Sequence, residues 1–77
     1  MPRLPRLAAK EIIAVLERVG FFLTRQSGSH KIYKHPSGKR VTVPFHGNKT
    51  LHPKVLKSIL KDADLDAPKL EDLLRMK

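Results

Sequence analysis

Apolar residues recur along this chain at two different spacings, and the switch between them marks the elements. In residues 7–19, Ile12, Val15, Leu16 and Val19 fall on one helical stripe at i, i+3, i+4 and i+7, with Ile13 broadening it. Lys10, Glu11, Glu17 and Arg18 take the solvent side. Gly20 stands where a left-handed cap closes a helix. The start is less well marked, because no Ser, Thr, Asp or Asn precedes Ala8.

Beyond Gly20 the pattern changes to short aromatic and β-branched runs separated by turn residues, which predicts strands over 21–26, 30–35 and 40–45. Ser27-Gly28-Ser29 and Pro36-Ser37-Gly38-Lys39 are the turns. Pro44 offers no amide donor, so the third strand ends there or lies at an edge. Residues 47–49 read as a loop. Pro53 suits the first turn of a second helix, whose apolar stripe is Val55, Leu56, Ile59 and Leu60. The acid-rich stretch from Asp62 to Asp66 interrupts that stripe. Ala67-Pro68 then opens a short C-terminal helix within 66–77, with Leu70, Leu73 and Leu74 apolar.

Three successive strands joined by short turns form an antiparallel meander, since parallel pairs need long crossovers. Two amphipathic helices covering one face give a two-layer α+β domain, helix–three-stranded antiparallel sheet–helix, in the element order of the double-stranded-RNA-binding domain. With Ser37-Gly38 as the turn centre, His35 faces Arg40, Ile32 faces Val43 and His30 faces Phe45, which brings His30 and His46 to one end of the sheet. A three-residue turn shifts this pairing by one.

The length of 77 residues allows one domain, spanning 1–77 with a loose leader over 1–6, and leaves no room for a large cofactor fold. Sixteen Lys and Arg against seven Asp and Glu give a net charge of +9, and the pI is about 10.4. Such an excess attracts polyanions, nucleic acid first. Its distribution sharpens the point: between Arg18 and Asp62 there is no carboxylate, while the acids gather toward the C-terminus. No cysteine is present, which excludes disulfides, thiol nucleophiles and cysteine zinc sites. No apolar run is long enough to span a bilayer, so no membrane role and a cytoplasmic location are expected.

Candidate chemistry centres on Arg25-Gln26-Ser27-Gly28-Ser29-His30. Histidine is the side chain that exchanges a proton near neutrality, and RNA carries its own nucleophile in the 2′-hydroxyl. A nuclease using that nucleophile needs a base, cations for the developing charge and alignment. His30 therefore fits a catalytic role, with Arg25, Gln26, Ser29, Lys31, Lys34, Lys39, Arg40 and His46 as RNA-binding residues. Spacing alone slightly favours an ordinary strand-end histidine that only hydrogen-bonds or touches phosphate, because single histidines are common and no acidic orienting partner is obvious. Ser29 is a weak nucleophile candidate, since adjacent strand residues point to opposite faces. His35 reads as a solvated loop residue and His52 as a cap on the second helix. The four histidines contain no short ligand pair, so no metal and no cofactor is expected.

These residues resemble the HicA, or YcfA-like, toxin family. The resemblance runs through Gly20-Phe21, Arg25-Gln26-Ser27-Gly28-Ser29-His30, Tyr33, His35-Pro36, Ser37-Gly38, Val43-Pro44 with His46, and Leu56-Lys57-Ser58-Ile59-Leu60-Lys61. It implies a double-stranded-RNA-binding-domain-like fold, a metal-independent endoribonuclease that cleaves mRNA, catalysis by the histidine of Gly-Ser-His (His30 here), and masking by a HicB-type antitoxin. Lys54 and Val55 stand where the family often carries Gly, and the acidic tail from Asp62 onward is individual. The alternative is a non-catalytic RNA-binding module of the same fold.

Overall fold

The structure is a computed structural model, and it describes residues 6–45 and 49–75. The expected leader apart from Arg6, and His46 with the neighbouring Gly47-Asn48, lie outside the described residues. The elements are α1 (Ala9–Arg18), β1 (Phe22–Ser27), β2 (His30–Lys34), β3 (Arg40–Pro44), α2 (Pro53–Asp62) and α3 (Ala67–Arg75).

α1 begins without a capping side chain at Ala8, and Glu11 supplies the missing acceptor by taking the Ala8 N–H at 2.9 Å. The preceding segment is tied down by a short antiparallel bridge, with Leu51 N–H donating to the Leu7 carbonyl at 2.7 Å. At the other end Gly20 adopts φ +101°, which lets Phe21 N–H reach the Leu16 carbonyl and Gly20 N–H reach that of Glu17. α2 closes the same way: Leu65 N–H donates to Leu60 and Asp64 N–H to Lys61, with Asp64 in the left-handed position at φ 59°. His52 caps the start of α2 as expected, its Nδ1 accepting the Lys54 N–H at 3.1 Å.

The three strands form one antiparallel sheet in the order β1-β2-β3. The observed register differs by one residue from the two-residue-turn expectation. His30 pairs with Pro44, Ile32 with Thr42 and Lys34 with Arg40, rather than His30 with Phe45, Ile32 with Val43 and His35 with Arg40. The cause is a three-residue turn, Pro36-Ser37-Gly38, closed by Gly38 N–H to the His35 carbonyl at 2.8 Å and His35 N–H to Lys39 at 2.9 Å. In β1 the register shifts between Leu23 and Arg25, so Thr24 is a bulge residue; its hydroxyl donates to the Ile32 carbonyl at 3.0 Å.

One face of the sheet carries the core. Tyr33, Val41 and Val43 are buried against Ile12, Val15 and Leu16 of α1 and Leu56, Ile59 and Leu60 of α2. α3 adds the buried Leu70 and Leu73 and packs along α1, where the Arg18 guanidinium donates to the Leu73 carbonyl. Each such large aliphatic side chain contributes about 1.5–3 kcal/mol by leaving water. The Tyr33 phenol is raised above its ordinary range, first by burial and then by the Glu17 carboxylate. Because alternate strand residues point oppositely, the opposite face of the sheet is left without helices.

Candidate active site

The cross-strand pairs arrange the helix-free face as three rows. Phe22, Lys34 and Arg40 form one row; Arg25, Ile32 and Thr42 the next; Ser27, His30 and Pro44 the third. His30 is held at the mouth of β2 by a two-residue turn, since Ser27 and His30 pair directly around Gly28-Ser29. Gly28 takes φ 57° at the first central position, the conformation that a tight hairpin turn of this kind demands there. The Gln26 side-chain amide donates to the Gly28 carbonyl at 3.3 Å, and the Ser29 carbonyl accepts the Phe45 N–H at 2.6 Å. The turn that presents His30 is thus anchored on both sides, while the His30 side chain is exposed.

The sheet brings some of the sequence-predicted residues together and separates others. Arg25, Lys34 and Arg40 share the face of His30 and are exposed. Lys31 pairs with Gln26 and Val43 on the opposite face, and its ammonium lies 4.2 Å from the centre of the Phe45 ring. Lys39 turns toward the α2–α3 linker, 3.5 Å from the Asp64 carboxylate. Gln26 and Ser29 serve the turn, as described, and His46 is outside the described residues.

His35 is not a solvated loop residue. Its Nδ1 accepts the Ser37 N–H at 3.0 Å, so the ring's proton sits on Nε2, which lies 3.0 Å from the Val19 carbonyl. Its ring is 5.1 Å from that of Phe21, and a Cβ at Gly20 would meet its Nε2 at 3.0 Å. Glycine is needed at that position twice over, for the cap and for this approach. The His35-Pro36 pair in the sequence marked a turn, but nothing in it signalled the reach back to α1.

Charge follows the layers. All seven carboxylates lie in the helices and the α2–α3 linker: Glu11, Glu17, Asp62, Asp64, Asp66, Glu71 and Asp72. There they are matched one for one by Lys10, Arg18, Lys54, Lys57, Lys61, Lys69 and Arg75. The strands and their turns carry Arg25, Lys31, Lys34, Lys39 and Arg40 and no acid. Two surface hollows lie at the start of α2, one of them reaching Pro44 beside His30. Among the described residues no three His, Cys, Asp or Glu side chains converge as metal ligands do, and no helix is long and apolar enough to cross a membrane.

Fold and face together define a small two-layer α+β domain that displays a histidine on a cation-rich, helix-free sheet surface. The model of the family described as HicA toxin of bacterial toxin–antitoxin matches residues 9–65, and the chain belongs to that family. Its role is therefore that of a toxin, with an antitoxin as partner. No curated protein matches the sequence. The matched span covers α1 through α2 and stops before α3.

Proposed function

We propose that this toxin is a metal-independent endoribonuclease that cleaves mRNA with His30 as general base. The observation that carries the reading is the position of His30: exposed at the end of the helix-free face, in line with Arg25, Lys34 and Arg40 and away from every carboxylate-bearing element. His30 takes the proton from a ribose 2′-hydroxyl, the 2′-oxygen forms a bond to the adjacent phosphorus, and the bond to the 5′-oxygen of the next nucleotide breaks. That oxygen takes its proton from water, and the products end in a 2′,3′-cyclic phosphate and a 5′-hydroxyl. The guanidinium and ammonium groups hold the phosphates and offset charge as it builds in the transition state. A HicB-type antitoxin presenting acidic groups would cover the same face.

A second reading, a non-catalytic RNA-binding module, is favoured by one observation. The cross-strand neighbours of His30 are Ser27 and Pro44, so neither offers a carboxylate to orient the ring. Cleavage assays decide between the two. Purified wild type should cut RNA in EDTA as fast as in magnesium, leaving cyclic-phosphate ends. Folded His30→Ala should lose a factor of about 10² to 10⁴ in rate, the usual contribution of a general base, while still binding RNA. His30→Gln, which keeps size and polarity, should be as slow. Wild-type cleavage rates in both variants would remove the catalytic role, and activity that vanishes on chelation and returns with a divalent ion would remove the metal-free mechanism.

A further inference from the structure

Phe22 is half exposed, at 50 %, although it follows a buried phenylalanine and opens a strand. A large aromatic ring left in water is informative when its neighbours have a chemical pattern. Its cross-strand neighbours are Lys34 and, one strand further, Arg40, and the next row along the face is Arg25, Ile32 and Thr42. Leu23 is exposed too, at 46 %, but it pairs with Tyr33 and so belongs to the other face. Phe22 is thus the aromatic residue on His30's side of the sheet. Along β2 the four steps from His30 to Lys34 span about 13 Å.

We propose that this face binds RNA as a single strand, with the Phe22 ring as the platform for one unstacked base and Lys34, Arg40 and Arg25 on the phosphates leading toward His30. The proposal rests on the ribonuclease reading and specifies the form of its substrate. A flat ring on an open sheet can stack only on a base that has left its helix, whereas the bases of a duplex are stacked on one another and closed to it. Charge points the same way. The helices together with the α2–α3 linker, on the side that would have to grip a duplex in the manner suggested by the element order, carry as many carboxylates as cations, while the open face carries no carboxylate. Phe22 would then be a specificity residue, deciding between single and double strands and fixing which nucleotide lies beside His30.

The test uses wild-type protein and a mixed-sequence RNA oligonucleotide with 2′-O-methyl riboses, which cannot be cleaved, so that binding is read apart from catalysis. Fluorescence anisotropy should show the single strand binding at least tenfold more tightly than the same strand annealed to its complement. Phe22→Ala should weaken single-strand binding by roughly five- to a hundredfold, the usual loss on removing a stacking side chain. Phe22→Tyr should restore it, and Leu23→Ala should change it less than about threefold. A 2-aminopurine placed in the strand should be quenched by wild type and by Phe22→Tyr but not by Phe22→Ala. Equal affinity for duplex and single strand, or unchanged binding by Phe22→Ala, overturns the proposal; the second result, coupled with lost antitoxin binding, would make Phe22 a protein contact. Cleavage of ordinary RNA, run in parallel, separates the two ideas. Cutting by wild type with normal binding by Phe22→Ala defeats only the platform. Quenching without any cutting defeats only the nuclease.

Discussion

His35 joins three parts of the chain through one ring. Its Nε2 donates to the Val19 carbonyl at the end of α1, its Nδ1 accepts the Ser37 N–H in the β2–β3 turn, and the ring lies against Phe21. Replacing it with alanine would strand a partly buried carbonyl and release the turn amide. The loss of such bonds costs about 1–3 kcal/mol. We expect His35→Ala to lower the urea midpoint by a corresponding amount with little change in slope, and an unaltered midpoint would show that water replaces the ring without penalty. The variant's residual folded fraction should keep its RNA affinity, because the ring points toward α1 rather than to the face that holds His30. In the sequence, His35 beside Pro36 looked like a solvated loop residue. Its hydrogen-bond partners are separated from it by 16 positions on one side and 2 on the other, and only the nearer could be anticipated. The site's key position was more legible, because Gly28-Ser29-His30 forms a local pattern whose geometry a tight turn dictates.

At the scale of elements, the helices were read from their stripes with little left over: Ile12, Val15, Leu16, Leu56, Ile59 and Leu60 are all buried. The sheet was harder. Ile32 and Tyr33 are adjacent and both apolar, so alternation could not decide which of them faces the helices, and the pairing register rested on an assumed turn length. The three-residue turn settles it, burying Tyr33 beside Val41 and leaving Ile32 beside Arg25 and Thr42. Alternation along β2 puts Lys31 on the face opposite His30, and Lys39 lies beside Asp64, which no count of positive residues could reveal. α3 lies beyond the span that the family model matches, yet its Leu70 is fully buried and its Leu73 nearly so. We therefore expect α3 to belong to the cooperative fold. Leu70→Ala should cost about 2–5 kcal/mol, the usual range for emptying a buried leucine site, which is a large part of what a domain of this size has. Urea unfolding followed by circular dichroism checks this, and a midpoint within error of wild type would make α3 an appendage.

For the molecule as a whole, the separation of charge by layer makes a quantitative claim about salt. A polyanion binding anywhere on a chain of net charge +9 would release many counterions. Binding confined to the helix-free face engages three described cations, Arg25, Lys34 and Arg40, because Lys31 points to the other side and Lys39 is beside Asp64. On a single strand each neutralised phosphate contributes a log–log salt slope of about −0.7, so three give roughly −2, or a loss of about twentyfold between 50 and 200 mM salt. The six contacts that bulk composition invites would give about −4 and a loss of several hundredfold. Lys34→Ala or Arg40→Ala should each make the slope shallower by about 0.7, whereas Lys57→Ala and Lys61→Ala, on α2, should leave it nearly unchanged. The measurement is affinity for an uncleavable single-stranded RNA across a salt series. A slope near −4 that falls equally for cations on both layers would mean that RNA wraps the whole molecule, and the helix-free face would lose its claim to be the binding surface.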